Sequence, residues 1–398
     1  MPLILKRSFL IIFVLFIVTR PSIKANEKAL WLYKTDGRIY STPLITEGTV
    51  YFGSGDSSFY ALDRSTGAEK WQYKTNGAVH SSPASFGNLV LFASSDGVLH
   101  ALESKNGTLV WQFKAEKEEM TDLWDYYLSS PAVADTLVYW GSGDGKVYAI
   151  DANNGIKKWQ FQTGAAVHAT PVIYEGDVYV GSFDGFFYCL SLENGALQWK
   201  FNTTGATYFP KGAVQRSAVI DDEMVYFGSR DYNFYALNAE KGYGHWNFRH
   251  TGGWFVAPPL VEGDYVYAGT SDGHTFYCFH KKNGEIIWQA ELNMRVYGRA
   301  AYHKGLVYFG TFGGDVLGMN ALTGKPEFKF VTEGYKKNSH FVFDEDGAFK
   351  TEFEIYGEDY LQSEKKLHNL GAVLSTPVIK DNILYVGSSD GYFYAIQL

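Results

Sequence analysis

Short apolar runs of five or six residues follow one another along most of the chain, separated by turn-forming residues. Many are of the Val-Tyr-Phe-Gly or Phe-Tyr-Ala-Leu type, and β-branched and aromatic residues favour strands. Asp-Gly pairs stand between successive runs, as at Asp144-Gly145 and Asp184-Gly185. This pair favours a tight hairpin, because glycine takes positive φ without steric cost. No stretch shows a helical period, so the pattern predicts an all-β protein.

The runs form a unit that recurs at roughly 40-residue intervals, the repeat length of a four-stranded propeller blade. A segment of the form Ala-x-Asp-x-x-x-Gly-x-x-x-Trp closes most copies, which end at Trp71, Trp111, Trp159, Trp199, Trp246, Trp288 and Phe328. Every copy also has a proline or alanine at one fixed place: Pro43, Pro83, Pro131, Pro171, Ala218, Pro259, Ala300 and Pro377. Eight copies predict an eight-bladed β-propeller of four-stranded antiparallel blades.

The two ends of the chain are predicted to close the ring. The eighth copy stops at Leu398 after three strands, and an unassigned strand with Trp31 lies at 29–34. Pairing these segments completes the eighth blade and leaves no long open edge, which sheets otherwise have to protect.

The first 25 residues are predicted to be a secretory signal peptide. Lys6 and Arg7 precede an apolar run from Phe9 to Val18, and Ala25 precedes a polar start. The run is short for a membrane span, which needs about 20 residues, although an uncleaved anchor stays open. No cysteine lies near the cleavage point, so lipid attachment is not expected. Residues 26–398 are predicted to form one domain in a periplasmic or secreted protein.

Charge excludes some partners. Of 35 basic and 43 acidic residues, the signal removes four basic ones, which leaves 31 basic residues and a formal charge of −12. An acidic protein is a poor match for nucleic acid or an anionic membrane surface. We therefore expect a monomeric propeller with a protein partner.

The repeat resembles the tryptophan-docking motif of quinoprotein alcohol dehydrogenase-like propellers, a superfamily with pyrroloquinoline-quinone-type repeats. The outer-membrane assembly lipoprotein BamB is also a member. The resemblance covers residues 29–398. It implies that each indole packs against the neighbouring blade, and the residues concerned are Trp31, Trp71, Trp111, Trp159, Trp199, Trp246 and Trp288.

Two functions follow from this resemblance. One is a non-catalytic binding or scaffold propeller like BamB, without a cofactor, that engages a protein in the cell envelope and takes part in outer-membrane protein assembly. The alternative is a dehydrogenase that binds pyrroloquinoline quinone and Ca²⁺ at the channel mouth. Those enzymes often carry adjacent cysteines over the quinone, which this chain lacks. His80 and His168 have no carboxylate or cysteine at ligand spacing, so we expect them to line the channel rather than bind zinc.

Three connections from a fourth strand to the next first strand are expanded, after Trp111, Trp199 and Phe328. All three are predicted to lie on one rim, and loops on a rigid scaffold often carry function. The longest, at 331–371, contains an expected exposed hairpin at Phe341–Phe349. The candidate binding residues at this mouth are Arg38, Tyr40, His80, Trp124, His168, Arg216, Trp254, Arg295, Tyr297 and Arg299. Arginines with aromatic residues suit a binding surface. The alternative is that they only plug the channel and wedge the loops together.

Overall fold

A computed structural model describes residues 28–345 and 347–398. The described chain forms eight four-stranded antiparallel sheets arranged as the blades of a ring. The first strands of neighbouring blades contact one another around a central channel. The predicted fold class is confirmed. The predicted signal peptide, 1–25, lies outside the described residues. No helix among the described residues is long and apolar enough to cross a membrane.

The strands alternate with short turns. Blade 1 contains β2 (Leu44–Ile45), β3 (Thr49–Ser54), β4 (Ser58–Asp63) and β5 (Glu69–Lys74); blade 2 β6 (Ala84–Phe86), β7 (Leu89–Ser94), β8 (Val98–Glu103) and β9 (Leu109–Lys114); blade 3 β10 (Ala132–Ala134), β11 (Leu137–Gly141), β12 (Lys146–Asp151) and β13 (Lys157–Gln162); and blade 4 β14 (Val172–Tyr174), β15 (Asp177–Gly181), β16 (Phe186–Ser191) and β17 (Leu197–Asn202).

The second half of the ring repeats this order. Blade 5 contains β18 (Val219–Asp221), β19 (Met224–Gly228), β20 (Asn233–Asn238) and β21 (Gly244–Arg249); blade 6 β22 (Leu260–Glu262), β23 (Tyr265–Gly269), β24 (Thr275–His280) and β25 (Ile286–Glu291); blade 7 β26 (Ala301–His303), β27 (Leu306–Gly310), β28 (Asp315–Asn320) and β29 (Pro326–Val331); and blade 8 β30 (Val378–Lys380), β31 (Ile383–Gly387), β32 (Tyr392–Gln397) and β1 (Ala29–Lys34).

Blade 8 joins the two ends of the chain, as predicted. β1 runs antiparallel to β32, with Trp31 opposite Ala395. Just beyond this pairing, the Thr35 backbone N–H donates to the Gly391 carbonyl at 2.8 Å. The ring is therefore closed by ordinary sheet hydrogen bonds.

Seven indoles connect neighbouring blades in the same way. Trp159 shows the arrangement: its Nε1 donates to the Leu192 carbonyl of the next blade at 3.1 Å. Its ring also lies on Gly195, where a Cβ would come within 2.6 Å of the indole at a φ of +73°. Only glycine fits there, which explains why the repeat keeps a glycine at this position. Equivalent N–H bonds to the following blade are made by Trp31, Trp71, Trp111, Trp199, Trp246 and Trp288.

A second repeated contact fixes the turns between second and third strands. In blade 4 the Asp184 carboxylate accepts from the Tyr188 hydroxyl at 2.7 Å and from the Gly164 N–H of the preceding loop at 2.7 Å. One carboxylate thus ties a turn, a strand and the incoming loop together.

Blade 6 departs from this pattern because its turn has one additional residue near His274. Here the Tyr277 hydroxyl bonds His250 Nδ1 at 2.9 Å, and Asp272 turns away to pair with Arg295.

Within 28–345 and 347–398, helices occur only in the connection after blade 7, and these were not predicted. They are α1 (Glu333–Asn338) and α2 (Tyr360–Asn369), with a 3₁₀ turn at Ser339–Phe341. The Thr332 side chain caps α1 by accepting from the Tyr335 N–H, an ordinary N-cap arrangement.

Cys189 and Cys278 are free and buried at equivalent strand positions of blades 4 and 6. Burial raises the pKa of both thiols to about 12, so they act as small apolar residues.

Candidate binding face and plugged channel mouth

The long connections and the turns between second and third strands lie on the same rim, which we call the insertion face. The first insertion (115–131) contacts the turn of blade 3, since the Gly143 N–H donates to Glu118 Oε1 at 3.0 Å. The second insertion (203–218) contacts the turn of blade 5, where the Thr204 N–H donates to Asp231 at 3.0 Å. The third insertion (332–377) contacts the turn of blade 8 through the Gly334 N–H and Asp390 at 2.8 Å.

The third insertion folds over the channel instead of projecting from it. The expected exposed hairpin at Phe341–Phe349 is reduced to a single bridge between Phe343 and Phe349. Phe343 is buried and Phe349 is partly buried, whereas Phe341 at the edge and the turn residues Asp344, Glu345 and Ala348 are exposed. The apolar residues of this segment face inward because they cover the end of the channel, which sequence alone did not reveal.

Residues of the first and third insertions and of the blade rims form one buried apolar cluster, which we call the plug. Its buried members are Tyr40, Tyr126, Tyr127, Val256, Met294, Tyr297, Phe312, Val342, Phe343, Phe353, Leu367, Leu370, Ala372 and Leu374. Aromatic rings supply much of it, and Tyr126 contacts both Tyr40 and Tyr297 at centroid distances of 5.8 and 5.6 Å. The channel is closed on the insertion face.

The candidate binding residues divide between plug and surface. Tyr40, His168, Trp254, Arg295 and Tyr297 are buried. His80, Trp124, Arg216 and Arg299 are partly buried, and Arg38 is exposed. The structure thus brings the candidates together at one mouth, with most of them beneath the outer surface.

His168 is held between two carboxylates of the first insertion. Its Nδ1 lies 2.8 Å from Asp125 Oδ2 and its Nε2 lies 2.8 Å from Glu118 Oε1. Burial alone would lower the pKa of His168, but hydrogen bonds to the two carboxylates raise it to about 10. The imidazole is therefore charged at neutral pH and holds the first insertion on the ring.

Arg295 forms a second buried ionic group. Nε lies 2.7 Å from Asp272 and Nη1 lies 2.7 Å from Glu364 of α2, while Nη2 donates to the Tyr356 hydroxyl at 2.8 Å. Burial opposes the charge of Arg295, but the neighbouring carboxylates and tyrosines raise its pKa. This arginine joins the turn of blade 6 to the third insertion and has no accessible surface for a partner.

A ridge of aromatic residues continues from the plug toward blades 5 and 6. Trp254 packs edge-on against Trp124 at 6.0 Å and against Phe209 at 4.6 Å. Arg230 lies over Trp254 at 4.6 Å and pairs with Asp122. Arg230 and Phe209 were not among the site residues predicted from the sequence. The available signal was Arg230-Asp231-Tyr232, a turn without the usual glycine and with a basic residue before the aspartate.

Apolar side chains of all three insertions remain exposed around the plug. The most exposed is Tyr208, at 81%. Exposed large apolar residues of the three insertions are Met120, Leu123, Tyr208, Phe341, Tyr356, Tyr360 and Leu361. Exposed apolar side chains gathered on one face characterise interaction surfaces.

A groove of about 580 Å³ opens on this face beside the altered turn of blade 6. His250 and His274 both line it, and the Nε2 atom of each is buried without a hydrogen-bond partner. Burial lowers the pKa of both. No group of three or more His, Cys, Asp or Glu residues able to hold a metal ion occurs within 28–345 and 347–398.

Comparisons with known proteins agree with the repeat. A sequence profile described as "Outer membrane protein assembly factor BamB" matches residues 22–206, 111–231 and 188–339, which together span well over half of the chain. The chain belongs to this family. No curated protein is a significant match.

Solved structures show how widely the BamB-type ring occurs. BamB from Moraxella catarrhalis is 15% identical with a TM-score of 0.70, and the match covers 93% of this chain and 99% of that one. The quinohemoprotein alcohol dehydrogenase from Comamonas testosteroni is 14% identical with a TM-score of 0.71, over 92% of this chain and 76% of that one. A computationally designed protein, Ika8, is 16% identical with a TM-score of 0.66, over 92% and 98%. At these identities the likeness concerns the fold alone.

Proposed function

We propose that this BamB-family chain is a non-catalytic binding propeller of the cell envelope that holds a protein partner on its insertion face. The observation that carries the proposal is the exposure of apolar side chains from all three insertions around the plug. The blades form a rigid support, and the loops on one rim supply the variable contacts. We expect these exposed apolar residues, rather than the arginines predicted from the sequence, to make the main contacts with the partner.

The cellular setting rests on two further observations. The N-terminal 25 residues have the pattern of a secretory signal, and the matching family is named for outer-membrane protein assembly. We propose a periplasmic location and a partner among the proteins of that assembly process. The signal is proposed to be cleaved, so that 26–398 acts as a monomeric domain.

Capture from the native envelope tests the binding face. Leu123 and Tyr208 lie in different insertions and are both exposed, so Leu123→Ser with Tyr208→Ser should leave the fold intact and reduce recovery of the partner identified by mass spectrometry. Matched controls are Lys105→Ala and Asn153→Ala, in exposed turns on the opposite rim. If the controls abolish capture while the double variant binds normally, the insertion face is the wrong surface.

The alternative, a quinone-dependent dehydrogenase, has a direct test. Incubation with pyrroloquinoline quinone and Ca²⁺ would produce the absorption of a bound quinone if the alternative were correct. We expect none, since the described residues offer no calcium-binding cluster and the enzyme-like neighbours share only the fold.

A further inference from the structure

The turn between the second and third strands of blade 6 lacks the carboxylate that ties the same turn in blade 4. The His274 carbonyl accepts the N–H of Leu292 at 2.7 Å, and in blade 4 the Gly185 carbonyl accepts the equivalent bond. His274 therefore occupies the place of Gly185, and Gly273 occupies the place of Asp184. A glycine has no side chain that could bind the incoming loop.

An imidazole takes over only part of the role of this carboxylate. A Cβ at Gly273 would come within 1.9 Å of His250 Nε2, so the ring lies directly on this glycine. Its Nδ1 bonds the Tyr277 hydroxyl at 2.9 Å. The N–H of Thr251, equivalent to the bonded Gly164 N–H of blade 4, is exposed and has no hydrogen-bond acceptor within 28–345 and 347–398. One backbone donor of the loop is thus open to a ligand.

The groove of about 580 Å³ lies at this altered turn. Its volume falls within the range of about 300–1,000 Å³ that is typical of ligand-binding clefts. Its lining comes from the loop at 249–252, from the turn at 272–275 and from the end of β25. The groove is therefore built by the segments that depart from the repeat.

Carboxylates outnumber cations in the lining and its direct partners. Glu291 is exposed and makes no ion pair with another described residue. Asp272 shares the guanidinium of Arg295 with Glu364, so this group of three has a net negative charge. Arg249 adds one positive charge. Three carboxylates thus stand against two guanidiniums.

The third insertion adds an acidic turn at the end of the groove. The side chain of Asn293, which follows the lining residues of β25, donates to the Gly347 carbonyl at 3.0 Å. This turn carries exposed Asp344 and Glu345, followed by one partly buried cation, Lys350. The negative charge therefore increases toward the third insertion.

The two imidazoles of the lining do not offset this charge. Burial lowers the pKa of both His250 and His274, and the ordinary value is already near 6.5. Both rings are therefore neutral at neutral pH. The groove is a polar, acidic cleft under these conditions.

The groove is continuous with the exposed apolar residues of the insertion face. The Arg295 guanidinium joins Asp272 of the lining to the Tyr356 hydroxyl, at 2.7 and 2.8 Å. The Tyr356 side chain is exposed, and its hydroxyl is held by this bond. A partner that packs on Tyr356 consequently lies beside the groove.

We propose that the groove receives an extended segment of the protein partner that carries a lysine or arginine side chain. Glu291 and the acidic turn would bind the cation, and a backbone carbonyl of the segment would accept the Thr251 N–H. Opposite charge selects such a segment, whereas an acidic one would be repelled. This inference rests on the proposed partner function and assigns a chemical class to one of the partner's contacts.

Fluorescence anisotropy with two labelled hexapeptides tests the groove, one of alternating lysine and alanine and one of alternating glutamate and alanine. At constant ionic strength we expect the lysine peptide to bind at least tenfold more tightly than the glutamate peptide. Glu291→Gln removes a charge of the lining and Gln289→Trp fills the groove. Each variant should weaken binding of the lysine peptide at least fivefold.

Both variants have matched controls. Glu193→Gln removes one exposed charge at a turn of the opposite rim, and Gln160→Trp places an indole at the equivalent strand position of blade 3. Both controls should bind the lysine peptide as the wild type does. All four positions are exposed, so the fold should be kept in each variant.

A lysine peptide that binds no better than the glutamate peptide would overturn the proposal, and so would groove variants that bind as their controls do. The partner function itself is tested separately by Leu123→Ser with Tyr208→Ser. Reduced partner recovery in that variant, together with no preference for the lysine peptide, would remove the groove assignment and leave the partner function in place.

Discussion

His168 Nδ1 lies 2.8 Å from Asp125 Oδ2, across a sequence separation of 43 residues. With Glu118 on the other ring nitrogen, this contact fixes the first insertion to the ring at blade 4. A loop without regular structure thereby gains one defined position. Its aromatic residues Tyr126 and Tyr127 can then form the base of the plug.

The buried His168 group should make the free energy of unfolding decrease at alkaline pH. The folded pKa is about 10, above the ordinary value near 6.5. The stabilising contribution is thus fully present below about pH 6.5 and declines as pH rises toward 10. Urea denaturation from pH 6 to pH 10 should show a falling free energy of unfolding, and His168→Gln should show a flatter profile in this window. An identical decline in the variant would assign the effect to other groups.

Trp159→Ala should be severely destabilising. The change removes a buried indole and its bond to Leu192, and large-to-small aromatic changes in a core cost about 3–5 kcal/mol. Tyr208→Ala is the matched exposed control and should stay within about 0.5 kcal/mol of the wild type. Equal shifts in thermal unfolding of the two variants would contradict the scaffold role of Trp159.

Removal of residues 26–36 should abolish soluble expression. The deletion takes away β1, exposes the edge of β32 and leaves blade 8 with three strands. Removal of 26–28 alone should have little effect, because β1 begins at Ala29. Size-exclusion chromatography distinguishes the outcomes, and a stable monomer of 37–398 would show that closure does not require β1.

Replacing Val331–Gly371 with a short turn should destabilise the propeller. Loop length alone would suggest a small effect, because closure costs change slowly with length. The structure indicates otherwise, since Val342, Leu367 and Leu370 of this segment are fully buried in the plug.

Arg295→Ala should also destabilise the propeller, because it leaves Asp272 and Glu364 without their buried partner. Unchanged melting temperatures in both variants would mean that the plug adds no stability.

The ring was predictable because every blade repeats the same local contacts. Two such contacts involve Gly195 and Trp199 of one repeat. Gly195 packs against the indole of the preceding blade, and the Trp199 indole N–H donates to the following blade. Both residues recur at fixed positions in the repeat, so the sequence shows these contacts directly. Closure was predictable for the same reason, since β1 has the pattern of a fourth strand without a blade.

The plug was not predictable because its contacts occur once. Nothing near His168 in sequence shows that Glu118 and Asp125 will reach it from 50 and 43 residues away, respectively. The apolar residues around Phe343 suit an exposed hairpin as well as a buried lid, and only the position of the channel decides between them. The arginines could be placed on the correct rim, but which carboxylates they meet depends on loop paths that the repeat does not specify.

The pairing of β1 with β32 has a consequence for how the chain folds during its synthesis. β1, which completes blade 8, precedes the other seven blades in the chain, and its partner β32 follows them. While a ribosome is still adding blades, the ring has no means of closing, and the contacts that depend on closure cannot form. The ring therefore stays open until the last blade has been synthesised, and the blade-to-blade contacts around the ring can be completed only then.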